Sequence, residues 1–193
     1  MPAPISDYVP QFVTGEEASR QRRAARAVWC VSLTAVLLFV GVIVLAPLTR
    51  AHGQALLSWG IYRAFSVACH QMPERSFFVG GFPLAVCARC FGLYAGGAAG
   101  VLVFPLLRPL SGAAQSPPRM WLFLAAVPTT IDFALGFFGF WENTHLSRFA
   151  TASLLGMASA FYVVPGLLDL GRSYLAPRVG RARRVSRRGT LEV

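Results

Sequence analysis

The sequence predicts an all-α integral membrane protein: a bundle of four transmembrane helices, with a cysteine- and histidine-bearing loop or interfacial helix between the first and second. Three observations carry that prediction. Hydrophobic residues make up 55% of the 193 residues and charged ones 13%, with a mean hydropathy of +0.54, a balance too apolar for an ordinary soluble domain. Four apolar runs approach the roughly 20 residues that a helix needs to cross a bilayer. All 18 basic residues are arginine, against 8 acidic ones, and they gather in blocks beside those runs.

Residues 1–27 contain early Pro, Asp and Glu, end in a run of four arginines from Arg20 to Arg26, and have no apolar period. They read as a disordered, basic cytoplasmic arm. Val28–Leu48, twenty-one residues without a charge, is the first span. It exceeds the apolar core of a signal peptide, about 7–15 residues, and no clear A-x-A site follows, so it is read as uncleaved. Between Thr49 and Ala68, Trp59, Ile61, Tyr62 and Phe65 alternate with Arg50, His52, Gln54 and Arg63. That stretch is too short and too charged to span, and reads as an interfacial helix or a loop with one helical turn.

The second span is placed at 84–107, with Gly92, Gly96 and Gly100 every fourth residue on one face, where a neighbouring helix can approach closely. That neighbour can belong to this chain or to a second copy, so a homo-oligomer is one expectation. A Pro-, Ser- and Gly-rich link follows from Arg108 to Arg119. The third span, 120–141, carries one charge, Asp132, about halfway along, and Pro128 should kink it. The fourth is placed at 149–170, and residues 171–193 form an arginine-rich cytoplasmic tail.

Four spans with both termini in the cytoplasm put thirteen arginines inside and five outside, as the positive-inside rule favours. The expected setting is the bacterial cytoplasmic membrane, multi-pass, with the arginine-rich termini against anionic lipid. Beside membrane spans such basic blocks point to lipid and not to nucleic acid.

The chemistry is concentrated between Cys69 and Tyr94. Cys69 and His70 are adjacent, and Cys87-Ala88-Arg89-Cys90 follows. A Cys-x-x-Cys pair suits a metal knuckle or a reversible disulfide. Two readings follow. Cys69, His70, Cys87 and Cys90 together would make a complete Cys3His site for Zn²⁺; Cys87 and Cys90 alone would serve a thiol–disulfide relay on an oxidising face. Arg89 between the sulfurs would favour thiolate in either case. Glu74, Arg75, Arg89, Asp132 and Arg148 form a candidate polar network, with Arg75 facing Glu142 and Asp132 facing Arg148. Asp132 also leaves open a small transporter or channel, ranked third because no inverted repeat is evident. No strand–helix alternation surrounds the Cys-x-x-Cys pair, and the sequence has no phosphate-binding glycine loop, HExxH or GxSxG, so an enzyme is not the favoured reading.

Cys69-His70-Gln71, Pro73-Glu74-Arg75-Ser76-Phe77 and Cys87-Ala88-Arg89-Cys90 with Gly92, Tyr94 and Gly96 resemble the bacterial membrane-protein family known as domain of unknown function 2085. The likeness continues through Pro128, Asp132, Asn143, Arg148, Thr151 and Gly156. Phe91, Phe133 and Ala152 depart from that family's usual residues. The resemblance covers the middle two-thirds of the chain and implies an architecture without assigning an activity.

Overall fold

The computed structural model describes residues 15–110 and 116–175. The chain forms α1 (Gly15–Ala51), α2 (Ala55–Phe65), a 3-10 turn (Pro73–Arg75), a hairpin of β1 (Phe78–Val79) and β2 (Phe82–Pro83), then α3 (Ala88–Leu107), α4 (Met120–Phe137) and α5 (His145–Leu175). Four helices are long and apolar enough to cross a membrane: Ala18–Ala51, Ala88–Leu107, Met120–Phe137 and His145–Gly171. Large side chains such as Leu37, Leu38, Trp121, Phe123 and Leu154 stand exposed on them, as expected of surfaces that meet lipid.

The boundaries differ from the sequence expectation in ways that local chemistry explains. Helix α1 begins at Gly15, so residues 15–27 are helical and continuous with the first span instead of belonging to a disordered arm. The reason lies in Glu16, Glu17, Ala18 and Ala24, acidic residues at the positive end of the helix followed by strong helix formers, with Glu16 facing Arg20 one turn on. The rest of the predicted arm and tail, residues 1–14 and 176–193, lies outside the described residues. The second span starts at Ala88 and not at Leu84; Leu84, Ala85 and Val86 are instead buried in the non-helical connector ahead of it. α4 ends at Phe137, ahead of the predicted Trp141, where the chain turns through Gly139 at φ 72°, a left-handed conformation that glycine adopts at little cost. Within the stretch 49–68, left between a helix and a loop with one helical turn, the chain forms the helix α2, whose Ser58, Ile61 and Phe65 are buried.

The glycine face packs within the chain. A Cβ at Gly92 would strike the backbone of Phe149, one at Gly96 the backbone of Ser153, and one at Gly100 the backbone of Met157. The constant offset makes α3 and α5 parallel and in register, with main chains in direct approach. Gly156 returns the contact, facing Leu93 and Gly97. Without a hydrophobic driving force between helices in lipid, such close backbone contact supplies much of the association.

Two buried clusters hold the bundle. At the end that carries Cys69, Cys87 and Cys90, Ile43 and Ala46 of α1 meet Ile61 and Phe65 of α2 and Leu84–Val86 of the connector. At the opposite end, Ala25 of α1 meets Val101 and Phe104 of α3 and Ala160, Val164 and Leu168 of α5. Trp29 adds a hydrogen bond from Nε1 to the Val101 carbonyl at 2.8 Å. The start of α1 and the finish of α5 therefore lie at one end of the bundle, and the cysteines at the other.

Candidate metal centre

The connector between α2 and α3 is a folded plug. Ser58 Oγ donates to the Ala46 carbonyl at 2.9 Å, tying α2 to α1, and the Tyr62 hydroxyl donates to the Pro83 carbonyl, tying α2 to the hairpin. Burial pushes the Tyr62 phenol up, against the opposing charge of Arg50. Phe77 sets its ring against Phe91 of α3 and Phe149 and His145 of α5. His145 Nε2 also lies 3.1 Å from the Glu74 carbonyl. The plug is thus fastened to α1, α2, α3 and α5.

This fastening brings Cys69, Cys87 and Cys90 together, their sulfur atoms all within 4.8 Å of one another. Cys69 is buried, and its Sγ accepts the Cys87 N–H at 3.3 Å and the Gln71 N–H at 3.5 Å. Cys87 is the N-cap of α3 and Cys90 lies in its first turn, so free helix N–H groups and the positive end of the helix dipole favour negative sulfur there. The Cys87 thiol is lowered to about 5, first by the hydrogen bond from the Cys90 thiol and further by backbone N–H groups and Cys69, against an opposing effect of burial.

His70 does not join the group. It is exposed, whereas Cys69, whose N–H closes the turn that ends α2 on the Phe65 carbonyl, is buried. Gln71, which sequence reasoning passed over, positions the centre. It adopts φ 52°, rare for a residue with a side chain, and its Nε2 donates to the carbonyls of Tyr62 and Ala85, both at 2.7 Å. That amide clamps α2 to the bend leading into Cys87. The signal available was its place beside Cys69-His70, but a glutamine at a turn has no spacing rule that marks it.

The predicted polar network is regrouped. Arg89 turns away from the sulfurs and pairs with Asp132 at 2.5 Å, its guanidinium also 5.4 Å from the Phe133 ring centre. The thiolate preference of Cys87 therefore comes from hydrogen bonds and not from the Arg89 charge. Asn143 donates to the Asp132 carbonyl, closing the α4–α5 turn. The expected pairs Arg75 with Glu142 and Asp132 with Arg148 do not form among the described residues.

Fold and site together define a four-span helical membrane protein with a three-thiol cluster at one end of the bundle. The chain belongs to the family described as predicted membrane protein, domain of unknown function 2085, whose model matches residues 69–162. An uncharacterised protein of Methanocaldococcus jannaschii is 34% identical over 147 residues, covering 74% of this chain and 94% of its own. Another, from Methanothermobacter thermautotrophicus, is 32% identical over 96 residues, covering 50% of this chain and 84% of its own. Both relatives are archaeal, so the likeness reaches beyond the bacterial setting expected from sequence. No solved structure matches the chain.

Proposed function

We propose that the chain is a metal-stabilised membrane protein whose Cys69, Cys87 and Cys90 bind one Zn²⁺ on the extracytoplasmic side, pinning the α2–α3 connector to the bundle. The observation that carries this reading is the convergence of three sulfurs within 4.8 Å. Zn–S bonds of about 2.3 Å place tetrahedral sulfurs about 3.8 Å apart, so closing onto the ion needs inward shifts of an ångström or less. Three thiolates leave a fourth position for water or an outside donor, unlike the closed Cys3His set expected from sequence. The arginines from Arg20 to Arg26, at the start of α1 and the other end of the bundle, fit anionic lipid on the cytoplasmic face.

Protein purified without chelator should hold close to one zinc per chain, and Cys87→Ser should lose it. Zinc affinity should weaken as pH falls below about 5, where the metal-free Cys87 thiol regains its proton; zinc competes with that proton, so release at saturating metal comes at a lower pH than the thiol's own titration. Metal content near zero in wild-type protein with three free thiols would sink the proposal. The second reading, thiol–disulfide exchange between Cys87 and Cys90, draws on the lowered Cys87 thiol. It calls for the opposite outcome: no metal, and a Cys87–Cys90 disulfide that cycles under mild reductant.

For orientation, a reporter active only in the cytoplasm and fused after Gly180 should give signal. Silence from an inserted, full-length fusion would reverse the assignment of sides.

A further inference from the structure

Three guanidinium groups stand beside the thiol centre without a role in it. Arg75 lies in the 3-10 turn, Arg89 in the first turn of α3 and Arg148 in the first turn of α5. The segments that carry them adjoin one another: His145 Nε2 lies 3.1 Å from the Glu74 carbonyl, and the Phe77 ring packs on Phe91 of α3 and Phe149 of α5. Asp132 is held by Arg89. Among the described residues, neither Arg75 nor Arg148 has a carboxylate within ion-pair distance. Glu74 and Glu142, the other acidic residues at this end, are exposed and form no ion pair. The Nε atoms of Arg89 and Arg148 are both buried and have no hydrogen-bond acceptor.

Gathering like charges is unfavourable, and so is a buried donor left without an acceptor. Both costs fall when an anion completes the group. The Arg89–Asp132 pair offsets one of the three guanidinium charges and leaves those of Arg75 and Arg148 without a carboxylate at ion-pair distance among the described residues. The setting adds to the attraction: α3 and α5 run parallel, so the positive ends of both helix dipoles face the same end of the bundle.

We propose that Arg75, Arg89 and Arg148 form a binding site for a phosphate-class oxyanion at the cysteine end of the bundle, separate from the thiols. A guanidinium donates in a planar fork, and several forks can share the oxygens of one tetrahedral anion. The site lies where the spans reach the membrane surface, a depth shared by phospholipid phosphates and by phosphate from the aqueous phase. The chemistry of recognition is the same for both sources.

Full-length protein in detergent separates them. A saturable rise in melting temperature with inorganic phosphate, absent with chloride at matched ionic strength, identifies the free anion. A phospholipid retained at one per chain through extensive washing, seen by native mass spectrometry, identifies a headgroup. Either signal should weaken at least about tenfold in Arg148→Gln and in Arg75→Gln, as expected for loss of one charge-assisted hydrogen bond. Arg75 is exposed, so Arg75→Gln should fold and decides the matter if Arg148→Gln does not. Arg148→Lys, which keeps the charge and loses the fork, should bind between the two. No phosphate response with no retained phospholipid, or binding unchanged in both glutamine variants, would overturn the site.

Discussion

Gly96→Leu should unfold the bundle or prevent its assembly, with a loss of about 3 kcal/mol or more, the upper range for forcing extra carbon into a packed interior. The magnitude follows from what the side chain would meet. Even a Cβ at Gly96 overlaps the main chain of Ser153, and main-chain atoms inside a helix cannot rotate aside as the tip of a side chain can. The two helices would have to separate, opening the Gly92 and Gly100 contacts as well. Gly41→Leu is the matched control, because nothing lies within 4 Å of a Cβ there and the residue is exposed on α1. Thermal unfolding in detergent should show a large drop for Gly96→Leu and little for Gly41→Leu. Equal behaviour of the two variants would contradict the α3–α5 interface.

Asp132→Ala should be nearly as damaging. Arg89 would keep its charge with no carboxylate, and removing one partner of a buried pair costs about 3–5 kcal/mol. Asp132 is 9% exposed, but the Arg89 side chain is 27% exposed; solvent at that partner places the expected loss near the lower figure. The pair is also a tether, since Asp132 is on α4, Arg89 is on α3, and Asn143 holds the Asp132 backbone. Replacing both partners, Asp132→Leu with Arg89→Met, should recover part of the stability because no charge is then left buried alone. A double variant less stable than Asp132→Ala would show that the charge imbalance is not the source of the loss.

The spans and the glycine face were legible in the sequence because each depends on local period or length. Twenty-one uncharged residues cross a bilayer whatever they pack against, and glycines at 92, 96 and 100 share a face of any helix that contains them. The helical start at Gly15 was equally local, but its arginines drew attention to charge and away from the helix formers between them. Cys87 and Cys90 were legible as a pair for the same reason of spacing.

Only the tertiary structure decided which helix meets the glycine face, which arginine meets Asp132, and which of Cys69 and His70 turns inward. Arg89 and Asp132 are 43 positions apart, and nothing local distinguishes Arg148 from Arg89 as a partner. The choice depends on the register of α3, α4 and α5, set by backbone contacts that run the length of two helices. Gln71 is the clearest case: its φ and its two carbonyl acceptors arise because α2 and the bend before Cys87 are brought together by the rest of the fold. Sequence by itself determined which residue types stand near the thiols along the chain. The packing of the helices decided which of them face one another, because side-chain direction in a turn is set by the elements it must join.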